Sequence, residues 1–235
     1  MLMKAVLLAS SILFAATGAG VAADAVAADP VAAPYNWTGF YAGVHGGYSW
    51  GSGDGAYPHP VIGRFETAYP EARGGLLGAQ VGYNHQWGSW VLGLEGDLSY
   101  SWADGSSRIN EFPAETDNGA RNDNEYSFLA SITGRAGYAV DRTLFYGKAG
   151  IGFTRLEMSD FTDPNTFNSR GSKTLTGWTI GGGVEHALND KWSVKGEYQF
   201  YHFSGDVALD DPIPFRSYEG DFNVHAVKIG LNYKF

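Results

Sequence analysis

The chain has no cysteine, which removes disulfide frameworks, thiol catalysis and cysteine-based zinc sites together. It is also poor in charge: 17% of its 235 residues are Asp, Glu, Lys or Arg, against about 25% in an ordinary soluble domain. The charge present leans acidic, to a net of -9. That argues against nucleic acid as a partner, because phosphate binding needs a basic surface. Beyond the leader, no stretch approaches the ~20 consecutive apolar residues that a spanning helix needs. Yet 44% of the chain is hydrophobic, 15% is aromatic and glycine occurs 33 times. The apolar residues must therefore be distributed in another pattern.

The leader itself reads as a targeting segment. "MLMK" carries one positive charge, "AVLLASSILFAATGAGVA" follows with none, and small residues come next. This is the order of a secretory signal: charged n-region, apolar h-region, small-residue cleavage site. The cut is expected between Ala22 and Ala23, with Ala27 as a later A-x-A site. An anchoring helix fits less well, because the strongly apolar part is short and runs into Ala and Gly. The expected organisation is a signal peptide over 1–22, a disordered Ala/Pro-rich lead-in over 23–36 and one β domain over 37–235.

Within that domain the apolar residues fall on every second position. In "WTGFYAGVHGGYSW", Phe40, Ala42, Val44, Tyr48 and Trp50 share one parity, and Tyr41, Gly43, His45, Gly47 and Ser49 share the other. Residues two apart lie on one face of a strand, so the segment has one apolar face and one polar or small face. The pattern returns in "LLGAQVGYNHQW", "WVLGLEGDLSYSW", "SFLASITGRAGYA", "LFYGKAGIGFT", "GWTIGGGVEH", "KWSVKGEYQFYHF" and "VHAVKIGLNYKF", eight strands in all.

Strands of soluble sandwiches alternate too, but three features point elsewhere. The central part of the apolar parity carries no charged residue; a lipid-facing wall must be clean in this way, because Lys or Arg at a bilayer midplane costs about 2–4 kcal/mol. Aromatics gather at the ends of that parity. Trp87, Trp90, Tyr138, Phe145, Trp192 and Tyr233 form one rim; Tyr48, Trp50, Tyr100, Trp102, Phe128, Phe153, Trp178 and Phe200 form the other, as interfacial girdles do. Finally, short links (Gly88–Ser89, Val140–Arg142, Leu188–Asp190) alternate with long ones (Gly51–Gly74, Ala103–Tyr126, Leu156–Ser172, Ser204–Asp221). The expected fold is all-β: an eight-stranded antiparallel up-and-down transmembrane β-barrel with four long external loops and three short periplasmic turns. Closure is compulsory there, because lipid offers nothing to bond a free strand edge.

Residues in "NWTGFYAGVHGGYSWG", "GLLGAQVGYNHQWGSWVLGLEGDLSYS", "SITGRAGYAVDRTLFYGKAGIGFT" and the final "VKIGLNYKF" carry a further likeness. The chain resembles the small porin-like outer-membrane proteins of alphaproteobacteria, relatives of the opacity-protein and OmpA-type barrels. The resemblance implies an outer-membrane location and surface-exposed, immunogenic loops. It also implies assembly by the barrel machinery through the terminal aromatic strand, with Tyr233 and Phe235 as the signal. It implies no catalytic residue and no cofactor. Haemin binding, reported for some relatives, is an open alternative.

The polar parity carries four acids, Glu95, Asp97, Glu185 and Glu197, and four bases, Arg135, Lys148, Lys195 and Lys228. The interior of an eight-stranded barrel is only wide enough for side chains to fill it, and an unpaired buried charge costs several kcal/mol. The expectation is an electrostatic plug, with a narrow ion path through the same residues as the alternative. The four long segments hold 17 acids against 6 bases, a net of -11, so the wall itself is near balance. Expected partners are outer-membrane lipid and lipopolysaccharide, the assembly machinery, and host or environmental ligands through the loops.

Three weaker candidates complete the reading. "DFTDPNTFNSRG" lacks the acidic ladder and final Glu of a calcium loop, so no metal is expected. His59, His202 and His225 are single histidines without the spacing of a haem pair. "YHFSGD" puts His202 and Ser204 on one strand face, with Glu219 or Asp221 as a nearby acid. That is the makings of a lipid A deacylase, but a rim His beside a loop-starting Ser is the commoner arrangement, and the expectation is no enzyme.

Overall fold

The computed structural model describes the backbone of residues 35–59, 63–108, 121–161, 168–208 and 217–235, and side chains within the wall over 35–53, 72–103, 128–155, 172–205 and 220–235. The expected signal peptide, most of the lead-in and the hairpin tips lie outside these residues. Eight strands follow in order: β1 (Gly39–His59), β2 (Gly63–Trp87), β3 (Trp90–Arg108), β4 (Arg121–Val140), β5 (Thr143–Phe161), β6 (Asn168–Ala187), β7 (Trp192–Ala208) and β8 (Ser217–Lys234). Each pairs antiparallel with its neighbours, and β1 pairs with β8 from Tyr41↔Lys234 to Ala56↔Glu219, closing the barrel. Among the described residues every regular element is a strand.

Alternation decides which way each side chain points. Leu94 is 66% exposed and Ile229 68%, while Glu95 beside Leu94 is 1% exposed and Lys228 beside Ile229 is 1%. The greasy side faces outward on all eight strands, so a soluble barrel packed around an apolar ligand cavity is excluded. The two expected rims hold ring pairs: Trp90–Tyr138 at 5.3 Å and Trp192–Tyr233 at 5.0 Å at one end, Tyr100–Trp102 at 5.1 Å and Trp178–Phe200 at 5.4 Å at the other.

At the turn end, Trp87 pairs with Trp90 across Gly88–Ser89, and Val140 with Thr143 across Asp141–Arg142. Gly88 (φ 58°) and Asp141 (φ 52°) supply the left-handed residue each tight turn needs. In the third turn, Asn189 Oδ1 accepts from the backbone N–H groups of Lys191 and Trp192, both at 2.9 Å, an Asx cap on the chain reversal.

At the opposite, loop end the strands run on past the apolar band. Most residues of the four expected loops continue the strands, with β1 and β2 paired as far as His59↔Gly63 and β5 and β6 as far as Phe161↔Asn168. The hairpin ladder satisfies its own backbone donors whatever the side chains are, so pairing outruns the alternation that marks the wall. Register shifts at Gly51/Gly53, Tyr100/Ala103 and Tyr126/Leu129 fall where the apolar band stops, as bulges at barrel rims do.

The interior is layered. At the turn end Tyr35, Trp37, Val91, Ala139, Leu144, Tyr146 and Ala187 pack together. At the loop end Leu76, Leu129, Leu175, Tyr201, Phe203 and Phe222 form a second apolar cluster with smaller neighbours. Charged and amide side chains lie between. Tyr35 and Asn36, just ahead of β1, lie against the turn end of the barrel. Tyr35 is buried, with the Arg142 guanidinium 5.6 Å and the Lys234 ammonium 4.2 Å from its ring centroid, and the Asn36 carbonyl accepts from Lys234 Nζ.

Candidate functional site

The period-two geometry of β3 to β8 brings all eight expected charges into the lumen, each at most 6% exposed. Two lysines and two glutamates form the centre. Lys148 Nζ lies 2.8 Å from Glu95 Oε1 and 2.9 Å from Glu197 Oε1, and Lys195 Nζ lies 3.3 Å from Glu95 Oε2 and 3.4 Å from Glu197 Oε2. Toward the turn end Arg135 spans two carboxylates, at 2.8 Å to Glu185 Oε2 and 3.5 Å to Glu95 Oε2. Toward the loop end Lys228 Nζ lies 2.7 Å from Asp97 Oδ2. None of these eight charges stands alone, which is the condition for burying charge at all.

Neutral groups complete the network, and these the sequence reading did not single out. Tyr41 donates to Glu95 Oε2 at 2.8 Å while accepting from Arg135 Nη1 at 3.0 Å. Tyr146 donates to Glu197 Oε2 at 2.8 Å. Ser193 and Asn232 both donate to Glu185 Oε1, at 2.6 and 2.7 Å. Ser131 donates to Asp97 Oδ1 at 2.9 Å, and Lys228 also reaches Gln199 Oε1 at 3.0 Å. His45 bonds Gln80 and Ser99 and approaches Asp97 at 3.5 Å. All of these lie on the polar parity, but so do many residues that bond nothing charged; only the cross-strand register tells them apart. Trp37 Nε1, Asn84 Oδ1 and Arg135 Nε have no hydrogen-bond partner, so polar satisfaction is weakest toward the turn end.

Glycine makes room for the long side chains. A Cβ on Gly82 would stand 2.4 Å from the Tyr41 ring, and one on Gly78 2.5 Å from His45 Nε2. These two positions of β2 let Tyr41 and His45 lie flat across their neighbour strand.

The single histidines have local partners. His225 stacks on Trp50, with ring centroids 5.5 Å apart, and its Nδ1 lies 2.7 Å from the Tyr198 hydroxyl. His202 Nδ1 lies 2.8 Å from Asn223 Oδ1 and its Nε2 3.3 Å from Ser204 Oγ. The side chains of His59 and Glu219 and most of the segment weighed as a calcium loop lie outside the described residues. Among the described residues no three His, Asp or Glu are grouped to hold a metal.

Residues 12–235 match the family model for the outer membrane protein beta-barrel domain. The chain is 33% identical to a 31 kDa outer-membrane immunogenic protein of Brucella melitensis, over 99% of this chain and 100% of that one. It is 32% identical to a 22 kDa outer membrane protein of Rhizobium leguminosarum bv. viciae, over 88% and 82%. Among solved structures it is similar to the outer membrane protein OprG of Pseudomonas aeruginosa, with TM-score 0.54 at 14% identity over 86% of this chain and 98% of that one. The outer membrane protease OmpT of Escherichia coli gives TM-score 0.52 at 10% identity, over 86% and 98%. At such identities these two structures share the fold alone.

Proposed function

The chain belongs to the outer membrane protein beta-barrel family, and from that membership we propose that it is a surface-exposed structural protein of the bacterial outer membrane, with little or no channel activity. One observation carries the reading: the charged side chains of the lumen are mutually paired between two apolar layers. An ion crossing the lumen would have to part a desolvated pair, and removing one partner of such a pair costs about 3–5 kcal/mol. A cylinder filled in this way acts as a stiff element of the envelope rather than as a conduit.

Its partners in this reading follow from its surfaces. The aromatic belts meet outer-membrane lipid and lipopolysaccharide. The terminal strand, with Tyr233 and Phe235, is read by the barrel-assembly machinery. The long hairpins, whose segments are acidic overall, face the exterior and any host or environmental ligand. The name of the Brucella relative, an outer-membrane immunogenic protein, supports such exposure. Planar-bilayer recording on folded protein tests the central point. The expected record has no reproducible steps; large, uniform single-channel openings would overturn the plug.

A further inference from the structure

On the outward face of β7 and β8, at the aromatic belt of the loop end, three polar side chains stand in line. His202 and Asn223 are register partners across the two strands, and Ser204 is two residues along β7, on the same face. Ser204 Oγ lies 3.3 Å from His202 Nε2, and His202 Nδ1 lies 2.8 Å from Asn223 Oδ1. An amide oxygen only accepts, so the ring proton sits on Nδ1 and Nε2 is left to accept from Ser204. That is the tautomer a general base needs beside a serine, and a third group holding the base is the mark of an activated nucleophile. The acid weighed from sequence, Asp221, lies across from Ser204 in register, and both nitrogens of His202 are engaged by other groups. An amide serves as the orienting group in Cys–His–Asn sites.

Location selects the substrate. The line lies on the lipid-facing side, with the Trp178 ring 5.3 Å from the His202 ring and Ser204 exposed. Belt aromatics mark the level where hydrocarbon gives way to headgroup, the depth at which the carbonyls of acyl esters lie.

We infer that Ser204, His202 and Asn223 form a hydrolytic site for acyl esters of membrane-resident lipids, an activity beyond the structural role proposed above. Ser204 Oγ bonds to the ester carbonyl carbon as its proton passes to His202 Nε2. The tetrahedral adduct collapses, the carbon–oxygen bond to the alcohol breaks, and the alcohol leaves with the proton from His202. Water, losing its proton to His202, then attacks the acyl-serine; the bond to Ser204 breaks, Ser204 recovers the proton, and a fatty acid departs. Water is the sole co-reactant.

The experiment uses the full folded barrel in vesicles, with two arms that share the ester chemistry: a diacyl glycerophospholipid and an acylated disaccharide lipid. Mass spectrometry reads free fatty acid, a fluorophosphonate reads the nucleophile, and heat-shifted gel mobility verifies the fold of every variant. Release in one arm identifies the lipid, with both release and labelling lost in Ser204→Ala. His202→Ala lowers the rate about 10²–10⁴-fold, the usual share of a general base. Asn223→Ala lowers it about 10-fold, whereas Asn223→Asp, which keeps the Nδ1 acceptor and adds charge, matches or exceeds wild type; a merely structural Asn would not produce that split. Folded wild-type protein that releases no fatty acid in either arm overturns the inference, as does undiminished release by Ser204→Ala. Neither result bears on whether the lumen conducts ions.

Discussion

At the turn end the lumen is closed by Tyr35 and Trp37, residues that precede the first strand, whereas at the loop end it is closed by Leu129, Leu175, Tyr201, Phe203 and Phe222, which belong to the wall itself. The first seal is a stopper drawn from ahead of the sheet and held by the ammonium of Lys234, at the end of β8, and the guanidinium of Arg142 in a turn. The second is woven from four strands and cannot be withdrawn without deforming them. The expectation is that the Tyr35–Trp37 stopper loosens from the wall residues it packs on, Val91, Leu144 and Tyr146 among them, with the hydrogen-bond ladder intact, whereas at the loop end packing and ladder fail together.

The largest effect is expected between the two ends. Lys148→Met leaves Glu95 and Glu197 short of a shared cation and is expected to cost about 3–5 kcal/mol, read as the urea midpoint of unfolding in detergent. If the midpoint is unchanged, the charge layer does not hold the ends together. Next come the seals: Phe203→Ala is expected to cost about 3–5 kcal/mol, and Trp37→Ala about 3 kcal/mol, because the stopper can settle into the space it leaves. Equal losses would erase the distinction between a stopper and a woven seal. Gly82→Ala sets a methyl 2.4 Å from the Tyr41 ring and is expected to cost about 1–3 kcal/mol as overpacking, with no gain in conductance.

The smallest effect is a pH dependence confined to the stopper. Burial, helped by the Glu185 carboxylate and opposed by Arg142, pushes the Tyr35 phenol from its ordinary 10.0 up to about 12. The folded state holds this proton more tightly than the unfolded chain does. Its contribution is complete below pH 10 and is lost as pH rises through about 12. Tyr35→Phe is expected to remove that share of the alkaline decline in the unfolding midpoint. An identical pH profile for the variant would mean that Tyr35 is not held in the mouth.

Much of this was legible in the chain. A clean apolar parity opposite a parity bearing Glu95 and Lys148 states which side of each strand faces out, because side-chain direction has a period of two. The seals were not legible, for the same reason. Leu76, Leu129, Leu144 and Leu175 sit on the inward parity as exceptions to the alternation, and single exceptions carry no signal until eight strands bring them to one level. Tyr35 was hidden by its Ala/Pro neighbourhood, since composition cannot show where a side chain is clamped. The partner of His202 also needed the β7–β8 register: the sequence offers Glu219 or Asp221 as the third group, and the position opposite holds Asn223 instead.

One detail of the seam bears on how the cylinder comes into being. Phe235 N–H donates to the Phe40 carbonyl at 3.0 Å, and Lys234 reaches back to Asn36, so the latch lies where the first strand meets the last. Those two strands are the most distant in chain order, so in an assembly that adds strands in sequence their union comes last. Until then a half-made sheet presents two raw margins to whatever is near. The clasp at Asn36 and Lys234 would mark the final moment of biogenesis, after which nothing is left for a stray strand to join.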